Sequence, residues 1–258
     1  MNIETADRVH VEEINGVMVV TLDRQHARNA INRATSEAVA AAMEELDRRD
    51  DLSAGVITGA GPVFCAGMDL KAFLAGEDVS LPGRGFAGFV EQPPAKPLIA
   101  AVEGPALGGG FEIVLACDLV VASETARFGL PEVKRGLLAG AGGLMRLPRR
   151  VPYQLAMEMA LTGEPVDAGT ARAAGLINRL VPAGGARDAA VELASAIAAN
   201  APLAVRASKE IMTGSREWTS EEEFGKMRGI FLPVRSSDDA REGALAFKEK
   251  RRPRWTGN

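Results

Sequence analysis

The segment Gly108-Gly109-Gly110-Phe111-Glu112 is where residue type and spacing point most directly to chemistry. Glycines cost an α-helix about 1 kcal/mol each relative to alanine, yet these three lead into the apolar run 111–117, which reads as a helix. Bare backbone there lets another group approach closely, and the unpaired N–H groups of a helix N-terminus favour negative charge that develops beside them. Close packing of helix on strand is the alternative use of the same glycines. Glu112 follows, flanked by Phe111 and Ile113, and the positions three and four away are Gly108, Gly109, Leu115 and Ala116. No base on its own helix can pair with it. A carboxylate so placed is either paired from another element or catalytic, because burying it alone is costly and raises its pKa.

Two other segments bear on the same question. Phe64-Cys65-Ala66-Gly67-Met68-Asp69-Leu70 reads as a small-residue turn in which Asp69 is placed to cap a following helix. Glu132 follows Pro131, and Lys134 and Arg135 offer it a surface ion pair as readily as a catalytic role. Other chemistries lack their marks. Residues 83–88 match G-x-G-x-x-G, but polar residues and Pro82 precede them and no acidic residue follows at the required distance, so the match is read as chance. There is no P-loop and no G-x-S-x-G. His10 and His26 have no recognised spacing to Cys65, and neither H-E-x-x-H nor paired cysteines occur, so no metal is expected.

These residues must be positioned by a chain of 258 residues with 47% hydrophobic and 25% charged residues, an average soluble balance that is long enough for one large core. Residues 1–8 have no apolar core of a secretory signal and no run is long enough to span a bilayer, so a cytoplasmic protein without membrane partners is expected. The net charge of −4 offers no general attraction for nucleic acid. Cys65 and Cys117, far apart, read as buried thiols. Residues 9–22 read as a hairpin turning at Asn15-Gly16, and 35–50 as an amphipathic helix. Residues 54–58, 97–102 and 119–122 read as strands, with 108–117 a helix between the last two. Strand and helix alternate, which implies an α/β fold with a largely parallel, covered sheet. Beyond Gly136 only helices are expected, at 153–162, 167–174 and 186–199 and, after the break at Asn200-Ala201-Pro202, over 203–250. Residues 76–94, rich in glycine and proline, are expected to form a mobile loop or a poorly ordered helix.

Taken together and in order, these pieces resemble the enoyl-CoA hydratase/isomerase (crotonase) family. The resemblance rests on Asn29-Ala30 after Leu22-Asp23-Arg24, on residues 64–70, on Gly104-Pro105-Ala106-Leu107-Gly108-Gly109-Gly110-Phe111-Glu112, and on Phe128-Gly129-Leu130-Pro131-Glu132. It continues through Gly140-Ala141-Gly142-Gly143 to Phe247-Lys248-Glu249-Lys250-Arg251. It implies a ClpP/crotonase-like spiral of β-β-α units over residues 1–199 and a helical trimerisation region over 200–258, with trimers or hexamers expected.

The resemblance also assigns roles. The amides of Met68 and Gly109 would form the oxyanion hole for a thioester carbonyl, a chemistry that needs only backbone donors. Glu112 would activate water and Glu132 would deliver the α proton, giving reversible syn hydration of a trans-2-enoyl-CoA to a 3-hydroxyacyl-CoA. Gly140 matches a position near that water, where dienoyl-CoA isomerases carry an aspartate, and Ala139 replaces a frequent proline. Ala66, Asp69 and Leu70 fall in the turn against the ligand. Arg24, Arg28 and Lys71 are candidates for the coenzyme A phosphates, as is the cluster Lys248, Lys250, Arg251, Arg252 and Arg254, although a solvated helix end explains that cluster equally well. Phe247 and Lys250 match residues that reach the nucleotide end of the ligand, often from a neighbouring subunit. No separate cofactor is implied, since coenzyme A is part of the substrate. The alternatives on this scaffold are double-bond isomerisation, a carnitinyl-CoA-type dehydratase and a non-catalytic binding or scaffold protein, RNA-binding members included. The acidic balance and both glutamates argue against the last. Leu81, Phe86 and Phe89 are candidates to line the acyl pocket.

Overall fold

The β-rich runs of the first half become one twisted sheet in the computed structural model, which describes residues 3–4 and 9–258. The signal reading of residues 1–8 otherwise lies outside the described residues. β1 (Ile3–Glu4), β2 (Val9–Ile14) and β3 (Val17–Leu22) pair antiparallel. Asn15 and Gly16 both take positive φ, +52° and +77°, as the two central residues of a type I′ hairpin turn must. α1 (Arg33–Arg48) is capped by Asn32, whose side chain accepts from the Thr35 amide at 2.9 Å, and buries Val39, Met43 and Leu46 along one face. β4 (Ala54–Gly59) then pairs parallel with β3. α2 (Leu70–Leu74) and a small hairpin of β5 (Ser80–Leu81) and β6 (Gly85–Phe86) lead to β7 (Leu98–Val102), parallel to β4.

From β7 the chain repeats a unit: a buried strand in the large sheet, a short strand in a second layer, then helix. β8 (Pro105–Leu107) and α3 (Gly109–Ala116) complete the first such unit; β9 (Leu119–Ser123) and β10 (Arg127–Gly129) begin the next. Its helical part is α4 (Gly143–Arg146) and α5 (Tyr153–Thr162), and β11 (Val166–Asp167) closes the second layer. α6 (Ala168–Ala173), β12 (Arg179–Val181) and α7 (Ala186–Ala198) finish the core. Sheet order is β1-β2-β3-β4-β7-β9-β12 for the large sheet and β11-β10-β8 for the small one. Isolated bridges Cys65 to Ala106 and Ile31 to Met68 extend the second layer.

Both faces of the large sheet are covered. On one, Met18, Val20, Leu22 and Ile57 join Phe64, Phe111 and Phe128 in the main core. On the other, Val17, Val19, Val56, Ile99 and Val121 pack under α7, where Ala190 and Ala194 let the helix lie close. This two-sided burial explains why the strands read as continuous apolar runs.

Two expectations need correction. The stretch after Gly136 is not all helical: β11 and β12 add strands, and β12 pairs parallel with β9. The second layer went unread because its strands are only two or three residues long. Residues 76–94 are anchored rather than loose, since Val79, Phe86, Phe89 and Val90 are buried in the main core. The chance G-x-G-x-x-G lies in the β5–β6 hairpin and its following turn, with no helix N-terminus at hand.

Beyond the break, α8 (Pro202–Gly214), α9 (Glu223–Arg235) and α10 (Asp238–Glu249) lie outside the spiral. Lys209 Nζ ties α8 to the core through Asp118 Oδ2 at 2.6 Å and two carbonyls, and Trp255 Nε1 donates to the Ala199 carbonyl. Met212, Phe224, Phe231, Leu232 and Leu245 remain exposed. Among the described residues no single helix is long and apolar enough to cross a membrane; α7 and α8 pass that test only jointly, across a 107° bend.

Candidate active site

The three glycines before Glu112 are each required by a different neighbour. Gly108 takes φ +56° and a side chain there would crowd Glu132 Oε1 at 3.0 Å; at Gly109 a Cβ would stand 2.5 Å from the Phe86 ring; at Gly110 it would collide with the Cys65 carbonyl. Close packing, one of the two uses foreseen for them, is therefore present at all three. Gly110→Ala is expected to cost about 1–3 kcal/mol, because the obstacle is backbone and must move; the midpoint of denaturant unfolding measures it.

The turn 65–69 is pressed against this helix start. Gly67 has φ +95°, and a Cβ on it would meet the Gly109 nitrogen and the Leu107 carbonyl, each at 3.0 Å. Pairing with Ile31 uses the Gly67 carbonyl (2.8 Å) and the Asp69 amide (2.9 Å), so the intervening Met68 N–H is left over. The Gly109 N–H, at the first position of α3, has no intrahelical acceptor either. Two neighbouring amides without a protein acceptor among the described residues thus meet beside one cleft. Asp69 holds the turn: Oδ1 accepts from the amides of Lys71 (3.0 Å) and Ala72 (3.4 Å), and Oδ2 from Arg24 at 3.1 Å. Burial opposes its charge, but these donors outweigh it and keep the carboxyl below its usual range.

Glu112 is 3% exposed. Its Oε1 accepts from the Gly143 amide at 2.7 Å and it has no ion-pair partner among the described residues. Burial pushes its carboxyl up to about 7, with Glu132 adding to the rise, while the Gly143 and Ala141 amides and Arg146 oppose it. Glu132 stands on the 3-10 turn Pro131–Arg135. The surface ion pair considered for it does not form: Lys134 pairs with Glu164 and Arg135 Nη1 turns back to the Pro131 carbonyl. Instead Glu132 Oε2 is buried without a hydrogen-bond partner, and burial raises its carboxyl as well.

A cleft of about 740 Å³ brings these groups together. Arg24, Arg28, Ala66, Met68, Asp69, Leu70, Lys71, Gly109, Glu112, Glu132 and Gly140 all line it. Arg24, however, is largely used internally, donating to the Ala30 carbonyl as well as to Asp69. Phe247 and Lys250 do not line it: Phe247 is 87% exposed and Lys250 ends α10 in a left-handed conformation. Of the three acyl-pocket candidates Phe86 lines the cleft, whereas Phe89 is buried in the core and Leu81 is not part of the lining. Sequence reasoning did not single out His26, Glu91, Leu107, Leu137 or Leu138, which also line it. Only the apolar pair just before Gly140 carried a usable signal. Both cysteines are buried thiols whose ionisation burial opposes, and no cluster of metal-ligating side chains occurs among the described residues.

A two-layered spiral with two carboxylates and bare amides at one cleft defines an enzyme scaffold of the crotonase class. The chain belongs to the enoyl-CoA hydratase/isomerase family, whose profile it matches over residues 12–258. It is similar to the crystal structure of an enoyl-CoA hydratase from Mycobacterium marinum, with 55% identity, a TM-score of 0.96, and coverage of 98% of this chain and 100% of that one. It is 43% identical to a carnitinyl-CoA dehydratase of Proteus mirabilis, covering 96% of this chain and 98% of that protein. It is 40% identical to an enoyl-CoA hydratase of Mycobacterium tuberculosis, covering 98% of each.

Proposed function

We propose that this chain is a hydro-lyase that reversibly adds water, syn, to a trans-2-enoyl-CoA to give a 3-hydroxyacyl-CoA. The observation that carries the reading is the meeting of the buried carboxylate of Glu112 and the half-buried one of Glu132 with the two acceptor-free amides of Met68 and Gly109 in one cleft. The amides receive the thioester oxygen as it gains charge, which makes the β-carbon electrophilic and the α-carbon basic. Glu112, held by Gly143, takes a proton from the attacking water; Glu132 gives one to the α-carbon. Gly140 leaves room for the water, as nothing nearer than Leu138 at 3.6 Å faces the space where a side chain would stand. Hydration needs one carboxylate charged and one protonated; burial raises both carboxyls, and the nearby Glu132 charge raises Glu112 further, so the pair resists losing both protons.

Exposed Arg28 and Lys71, which also line the cleft, meet the coenzyme A phosphates, and no further cofactor takes part. Phe247 and Lys250 contribute from a neighbouring copy, and the exposed apolar side chains of α8–α10 are the surface on which a trimer, or a hexamer built from two, assembles. Cytoplasmic residence accords with this reading.

A second reading, dehydration of a carnitinyl-type thioester, is favoured by Glu91. It lines the cleft beside Phe86, its side chain folded over Gly85, and its carboxylate has no hydrogen-bond or ion-pair partner among the described residues. Such a group suits a trimethylammonium end better than an alkyl one. The test is a panel of enoyl-CoA thioesters from short to long chain plus crotonobetainyl-CoA, followed by loss of the conjugated enoyl absorbance. Loss with at least one neutral chain length is expected. No loss with any member would sink the hydratase reading, and a preference of more than about tenfold (about 1.4 kcal/mol) for the cationic member would establish the second.

A further inference from the structure

Arg146, at the end of α4, is a guanidinium without a carboxylate partner among the described residues. It is half-buried, and it spends its donors on two carbonyls, one in the turn that lines the cleft at Ala141 and one at Val90 in the core behind Phe86. Nη2 donates to the Val90 carbonyl at 2.6 Å and Nη1 to the Ala141 carbonyl at 3.3 Å. Val90 is fully buried, so its carbonyl would otherwise lack a partner from solvent. Its backbone continues from Phe86, whose carbonyl accepts from the Val90 amide and whose ring covers Gly109. Ala141 belongs to the turn 140–143, whose Gly143 amide holds Glu112. Gly142 is shaped for this arrangement, with φ +94° and no room for a Cβ, which would collide with the Arg146 guanidinium.

We infer that Arg146 is a positioning residue for hydration: it clamps the turn that holds Glu112 to the wall that covers the Gly109 amide, and so fixes the water-activating carboxylate relative to the oxyanion site. The inference rests on the proposed hydratase reading. A planar fork can hold two carbonyls at once, which an ammonium on a flexible stem cannot do with the same rigidity. The charge has a second effect. Glu112 faces Glu132, Arg146 and the amides of Gly143 and Ala141, and Arg146 is faced in turn by Arg149, Arg150 and Cys117. Removing the cation takes away the one positive group among those that favour ionisation of Glu112.

The experiment compares the full-length protein with Arg146→Gln and Arg146→Lys. Crotonyl-CoA hydration is measured from pH 5 to 9, and Glu112 is titrated by the carboxyl carbon signal of ¹³C-glutamate-labelled protein, assigned with Glu112→Gln. In Arg146→Gln, kcat is expected to fall about 10²-fold, as for a misplacement of about 1 Å, with KM changed less than about threefold. The acidic limb and the Glu112 titration should both move to higher pH, since an ionised Glu112 has lost a nearby cation. Arg146→Lys should restore the titration and the limb but recover kcat only in part. Folded Arg146→Gln or Arg146→Lys with wild-type kcat overturns the inference. So does a lowered melting temperature in both variants with unchanged limb and titration, which is what a purely structural role gives. If Arg146→Gln does not fold, Arg146→Lys alone decides through its kcat. If the wild type hydrates nothing while the Glu112 titration still shifts, the hydratase reading fails and the coupling of Arg146 to Glu112 stands.

Discussion

Glu112→Gln is expected to lower kcat for hydration by about 10²- to 10⁴-fold, the span usual for a positioned general base, with folding and thioester binding retained. The amide side chain keeps an Oε1 acceptor for the Gly143 N–H, so the hydrogen bond at 2.7 Å survives while the proton acceptor is lost. The pH profile should change with it. In the wild type, activity is lost at low pH when both carboxylates are protonated and at high pH when both are ionised, and the limbs belong to the pair. With Gln at 112 the acidic limb disappears and Glu132 alone titrates. Stability should move the other way. The folded pKa of Glu112, about 7, lies above its unfolded value, so its contribution is fully present below about pH 4 and is lost as pH rises through 7. At pH 8 the Gln variant should therefore unfold later than the wild type, by about 1–3 kcal/mol. Unchanged turnover would make Glu112 a structural carboxylate.

Gly109→Pro is expected to cost about 10²- to 10³-fold more in kcat than Gly109→Ala, because only proline deletes the N–H aimed at the thioester oxygen. Proline is tolerated at the first position of a helix, so α3 should still form. Both substitutions add a Cβ that pushes on the Phe86 ring, which at 2.5 Å must swing aside. The difference between the two variants, measured as kcat on one thioester, therefore removes the shared Cβ crowding and leaves the replacement of the N–H by the proline ring. Equal losses would remove the Gly109 amide from the mechanism.

Much of this site was legible in the sequence, for identifiable reasons. Three glycines ahead of a carboxylate on an apolar helix violate local propensity, and such violations tend to gather where function imposes them. The hairpin, α1 and the long strands followed from turn chemistry and apolar periodicity. Glu132 was ambiguous because its neighbours Lys134 and Arg135 are adjacent only in sequence; the structure sends them to Glu164 and Pro131. Arg24 read as a free cation because its partner Asp69 is 45 positions away. The second layer could not be read, since strands as short as Pro105–Leu107 carry no periodicity and exist only because neighbouring turns of the spiral supply their hydrogen bonds. Residues 76–94 misled for a related reason: glycines that suggest disorder serve there to bring Phe86 and Val90 into the core. Gly88, for example, faces the Ser36 carbonyl and Ala40 with no space for a side chain.

The most direct test of the account is hydration of crotonyl-CoA in D2O, with the 3-hydroxyacyl product examined by proton NMR. Two carboxylates on one cleft, one drawing a proton from water and one giving a solvent-derived proton to the α-carbon, predict one deuterium at that carbon, syn to the new hydroxyl. A product labelled anti or on both faces, or a shifted double bond with no hydroxyl, would contradict it.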